Sequence, residues 1–147
     1  MNTPAYSSAS SLTPTQVSYL QNFAANTQAG RVLLGKLASA NMNSTADQAI
    51  AISSTNYIIR NIVATNASVS LTLSVGGIYA AASKTTAVVA NTQIFSALTA
   101  STKTVDLTIN ALGLSDRRTE ATLYLSLTTG QGSAATADIY IYGDRLD

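Results

Sequence analysis

Asp116 and Glu120 stand four residues apart in LSDRRTEA, with Arg117 and Arg118 between them. Two carboxyls are the minimum for a carboxylate-dependent glycoside hydrolase. That chemistry needs the two acids tuned apart, with one kept protonated. Two adjacent guanidiniums do the opposite and keep both ionised. The cluster therefore reads as a charged loop. Four charges together in a charge-poor chain suit a specific contact with a partner. Other routes to catalysis close on composition. There is no His and no Cys, which excludes a Ser-His-Asp triad and the usual zinc ligand sets. GDRLD groups Asp144, Arg145 and Asp147 without the ligand spacing of a calcium loop, so it reads as solvated tail charge. GQGS (Gly130–Ser133) has no Lys-Ser/Thr after it and is no phosphate loop. We expect no enzyme, no cofactor and no metal.

Tyr140 and Tyr142 share one face of ADIYIYG, opposite Ile139 and Ile141. Outward aromatics stack sugars or anchor protein partners. The chain has no Trp, and no convergent polar groups accompany the pair, so a protein interface is the preferred reading.

The 147 residues suit one domain with one core. Only 10% are charged, against roughly 25% in an average soluble domain. Ser and Thr supply 38 positions, so the surface is mostly hydroxyls and methyls. Dispersed charge is the usual guard against association, and here it is thin. We expect a protein that works in an assembly. The net charge of +1 gives no field for a phosphate backbone, so nucleic acid is not an expected partner. MNTPAYSSASSL has neither a basic n-region nor an apolar h-region, so no Sec signal is expected. Ser, Thr and Asn interrupt every uncharged window, so no membrane span is expected.

Met1 to Gly30 carries no charged side chain. YSSASSL (Tyr6 to Leu12) reads as an extended arm. Thr13, Pro14 and Gln16 then form a capping box, which predicts a helix from Pro14 to about Thr27. Val17, Leu20 and Ala24 share one face of it, with Phe23 beside them. From Arg31 the period becomes two. RVLLGKLA is a first candidate strand, and eight more follow it: DQAIAIS, NYIIRNIVAT, VSLTLSV, GIYAAA, TQIFSAL, KTVDLTI, TLYLSLT and ADIYIYG. VSLTLSV alternates most cleanly, with Val69, Leu71, Leu73 and Val75 inward, and Gly76-Gly77 reads as a hairpin turn. Ser83–Asn91 and Ala111–Ala121 read as loops crossing between sheets. The expected fold is all-β: an eight-stranded antiparallel jelly-roll sandwich over 31–147, preceded by an arm and short helix over 1–30.

An uncharged arm, a small Ser/Thr/Ala-rich jelly roll and no catalytic residues resemble the cement, or head decoration, proteins of tailed bacteriophages. SVGGIYAAASKTT and TLYLSLTTGQGSAATADIYIYGD carry the resemblance, which spans Arg31–Asp147. It implies a virion protein made in the host cytoplasm and seated on the outer surface of the capsid. Such a protein is a dimer or trimer that bridges neighbouring subunits of the major capsid protein. On that reading Tyr6, Leu12, Tyr19, Leu20 and Phe23 anchor the arm on a neighbour. Arg31, Arg117 and Arg118 meet acidic capsid patches, and Tyr140 and Tyr142 face a partner. Arg60 has either that role or a local partner on its own strand. The alternative is a glycan- or receptor-binding β-sandwich module of a virion spike or fibre.

Overall fold

Ile59, Ile62 and Ala64 are fully buried, whereas Ile58, Asn61, Val63 and Thr65 are half-buried. That is the two-residue period of a strand with one face on a core. Arg60 is the extra residue of a bulge between Ile59 and Asn61, which slips the pattern by one and explains why this segment reads as apolar on both faces. A computed structural model of the chain describes residues 32–99, 103–110 and 116–147. They belong to one unit, Arg31–Asp147. The expected arm and helix, with Tyr6, Leu12, Tyr19, Leu20, Phe23 and Arg31, lie outside the described residues.

The described residues are all-β. In order the strands are β1 (Val32–Asn41), β2 (Gln48–Ala51), β3 (Tyr57–Thr65), β4 (Val75–Ala81), β5 (Thr85–Ile94), β6 (Thr104–Asp106), β7 (Thr122–Thr129) and β8 (Thr136–Arg145). They form two four-stranded antiparallel sheets, ordered β1-β8-β3-β6 and β2-β7-β4-β5. The chain pairs as one long folded hairpin: β1 with β8, β2 with β7, β3 with β6 and β4 with β5. Pairing of β8 with β3 and of β7 with β4 completes the sheets. Leu34, Ile59, Ile62, Ile139 and Ile141 of one sheet share a single buried cluster with Ile50, Ile78, Val88, Leu123, Leu125 and Leu127 of the other. Each such side chain contributes about 1.5–3 kcal/mol by leaving water.

Three strand and turn expectations are corrected. VSLTLSV is no strand before Val75. Its amides bond to scattered partners: Leu71 N–H to Leu98 O at 3.0 Å and Leu73 N–H to Gln131 Oε1 at 3.1 Å. No ladder forms, Leu73 is 57% exposed, and Ser74 is buried with its hydroxyl on Met42 O. Gly76 and Gly77 are no turn either. They lie inside β4, where a Cβ on Gly76 would stand 2.5 Å from Leu127 Cα, so glycine marks a close approach of neighbouring strands. Ser83–Asn91 does not cross between sheets. It is a tight turn, with Ser83 and Lys84 both at positive φ, followed by most of β5. Asp47 Oδ2 accepts Ser83 N–H at 2.6 Å and Lys84 Nζ donates to Thr45 O at 3.1 Å, which holds that turn without a glycine.

The C-terminal charges are bound rather than solvated. Asp147 accepts hydrogen bonds from Ser54 Oγ at 2.7 Å, Thr55 N–H at 2.6 Å and Thr55 Oγ1 at 2.8 Å. These bonds, that of Ser54 foremost, hold its carboxyl well below the ordinary 3.8. A depressed carboxyl stabilises the fold above its unfolded pKa, and that support fades as pH falls. Asp147→Asn should therefore lower the urea midpoint at pH 7, and the gap to the parent should shrink between about pH 4 and pH 2. An offset that stays constant over that range would contradict the clasp.

Gly143 of β8 sets the distance to β3, because a Cβ there would run into the Ile58 carbonyl. Gly143→Ala should cost about 3 kcal/mol in denaturant unfolding. A change below about 0.5 kcal/mol would show that β3 moves aside freely.

Candidate interaction surface

β8 lies between β1 and β3, and its alternation divides its residues cleanly. Ala137, Ile139 and Ile141 enter the core, while Tyr140 and Tyr142 point outward and are half-buried. Register then fixes their neighbours. Tyr140 sits between Lys36 of β1 and Val63 of β3, and Tyr142 between Leu33 and Asn61. Asp106 of β6 continues the row beyond Val63.

The two rings are nearly parallel, with centroids 6.3 Å apart and planes inclined by 13°. Lys36 Nζ lies 4.8 Å from the Tyr140 centroid, a cation–π placement. The Tyr140 hydroxyl first, and then its charge interaction, raise the Lys36 ammonium above its ordinary pKa. Leu33 and Val63 add apolar area beside the rings. The rim is polar, with Arg60 Nε meeting Asp144 Oδ2 at 2.7 Å; Asp138 is buried and accepts from Ser39 N–H at 2.7 Å and Asn66 Nδ2 at 3.3 Å. An aromatic centre within a polar, ionic rim is the anatomy of a protein–protein interface.

The structure separates the other expected site residues. Arg117 is exposed and donates to Asn56 Oδ1 from Nε at 3.0 Å. Arg118 is only 6% exposed and pairs with Glu120 at 3.2 Å. Its backbone also exchanges two hydrogen bonds with Tyr57, at 3.0 and 2.8 Å. Arg118 is thus turned into its own domain. Glu120 also takes the Tyr57 hydroxyl, which donates to its backbone O at 2.9 Å. Burial pushes the Tyr57 phenol up. Arg60 has a local partner in Asp144. Among the described residues no group of three or more acidic or imidazole side chains is placed to hold a metal ion.

Lys36, Leu33, Asn61 and Val63 belong to the surface but escape a reading of the sequence. They sit on two other strands, and only register brings them beside the tyrosines. No protein-family model matches the chain, and no curated protein and no solved structure is significantly similar to it.

Two stability measurements separate the surface from the scaffold. Tyr140→Ser with Tyr142→Ser should change unfolding free energy by only about 1 kcal/mol, because both side chains lie on the outer face. Arg118→Ala should cost about 2 kcal/mol, whereas Arg117→Ala stays within about 0.5 kcal/mol. Equal effects at the two arginines would contradict the assigned burial.

Proposed function

We propose that the chain is a structural virion protein: a decoration subunit that stabilises a tailed-phage head by bridging neighbouring major capsid subunits. The tyrosine surface carries the proposal. It is aromatic at its centre, polar at its rim and built on rigid strands, and the chain has few dispersed charges to keep it from associating. In the same proposal the fold is a jelly roll. The pairing of β1 with β8, β2 with β7, β3 with β6 and β4 with β5, wrapped into two sheets, supports it. The uncharged residues 1–30 act as an anchoring arm with a short helix, and the protein works as a dimer or trimer on the outer capsid surface. Weak contacts repeated by capsid symmetry then supply strength through avidity.

The parallel tyrosines also admit a second reading, a glycan- or receptor-binding module. Lys36 weighs against it, since its ammonium lies over the ring of Tyr140 that a sugar would stack on.

Undecorated phage heads and a glycan array separate the two. Full-length protein should co-sediment with heads at a fixed stoichiometry and raise the temperature at which they release DNA. The Tyr140→Ser, Tyr142→Ser variant should lose most of that binding while remaining folded. Glycan binding by protein that ignores heads would overturn the proposal.

A further inference from the structure

β5 is ten residues long and lies at the edge of its sheet. Thr85–Ile94 contains no charged residue and no proline. Charge, proline and brevity are the usual devices that stop an edge from pairing with another chain. The other edges have them. β2 has four residues, β6 has three with Asp106 among them, and β1 carries Lys36.

The first half of the β5 edge is already covered. Val89 bridges Ile109, Asn110 N–H donates to Val88 O at 2.9 Å, and Asn110 Nδ2 donates to Ala87 O at 2.9 Å. Beyond Val89 the two segments part. There the Gln93 side chain spans the gap. Its Oε1 accepts Thr108 N–H at 2.9 Å, and its Nε2 donates to Ile94 O at 2.8 Å. One acceptor and one donor on a planar amide are the hydrogen-bonding equivalent of a peptide group. A side chain thus stands where the backbone of another strand would fit. Around it opens a cavity of about 310 Å³, lined by Ala90, Thr92, Gln93, Ile94, Thr108 and Asn110. The lining holds two hydroxyls, two amides and methyl groups, with no charge, and Ile94 is 59% exposed.

We propose that this slot receives an extended, uncharged peptide strand from a neighbouring protein chain. The strand adds to β5 along Ala90–Ile94, by the β-augmentation mode of peptide recognition. Each part of that chemistry comes from the slot. Backbone is selected because donors and acceptors are presented together. An extended conformation is selected because β5 is extended. Charge is rejected because nothing in the lining can pair with it. On entry Gln93 swings out and yields Thr108 N–H and Ile94 O to the incoming strand. Alternate side chains of that strand meet Ile94 and the flanking threonines.

The test is an amide NMR titration of the labelled full-length protein. The probe is an acetylated, amidated hexapeptide of alternating Thr and Val at millimolar concentration. Shifts should be confined to Ala90–Ile94 and Thr108–Asn110. A peptide with Pro at its two central positions lacks the donors and should bind about tenfold more weakly, as should one with Lys in place of two Thr. Gln93→Ala removes the competing internal amide and should tighten binding about fivefold. Thr92→Lys puts a charge at the slot and should abolish it. Absence of shifts, shifts elsewhere, or equal binding of the Pro peptide would overturn the proposal. The titration uses no phage head, so it succeeds or fails independently of the decoration role.

Discussion

The pairing of β8 between β1 and β3 is the interaction on which the rest of the structure depends. It sends Ile139 and Ile141 into the core and leaves Tyr140 and Tyr142 on the outer face. A slip of one residue would exchange the two sets, burying phenols and exposing isoleucines. Several features hold the register. Gly143 lets the Ile58 carbonyl come close. Bulges between Leu33 and Gly35, Leu37 and Ala40, and Ile59 and Asn61 absorb mismatches between strands. Asp138 pins Ser39 N–H and Asn66 Nδ2, two residues at positive φ. The contacts that secure the core therefore also aim the tyrosines.

Charge is used in a consistent way. Asp147 clasps the tail to Ser54 and Thr55, Asp47 holds the β4–β5 turn, and Glu120 meets Arg118 beside Tyr57. Arg60 closes on Asp144. Most of these groups act as staples between loops and strands. Large parts of the outer surface are left to hydroxyls, amides and aromatic rings. Such a surface is weakly hydrated compared with a charged one and associates more readily. The same economy of charge underlies the tyrosine face and the bare edge of β5.

Much of this was legible from residue pattern. TLYLSLT and ADIYIYG carry large apolar residues at every second position, NYIIRNIVAT is an apolar run broken only by Arg60 and Asn61, and they became β7, β8 and β3. The outward placement of Tyr140 and Tyr142 follows from the same period. VSLTLSV misleads because alternation is necessary for a half-buried strand but does not itself supply a neighbouring ladder. The Gly76-Gly77 pair misleads because close strand packing selects glycine as strongly as a turn does. β5 was hidden for the opposite reason. TTAVVANTQI has little large-residue alternation, and the turn before it places Ser and Lys where Gly or Asn is usual. Arg118 reads as solvent-facing because its burial depends on Tyr57, which approaches it only in the folded chain. The partners of the tyrosines were beyond reach until register was known.

Hydroxyl-radical footprinting of the protein, free and bound to undecorated phage heads, tests the central claim most directly. Tyr140, Tyr142 and Leu33 should be oxidised in the free protein and protected on the head, while the half-buried Tyr124 on the other sheet keeps its rate. Equal oxidation of Tyr140 and Tyr142 in both states, with protection elsewhere, would show that this face is not where the protein meets its partner.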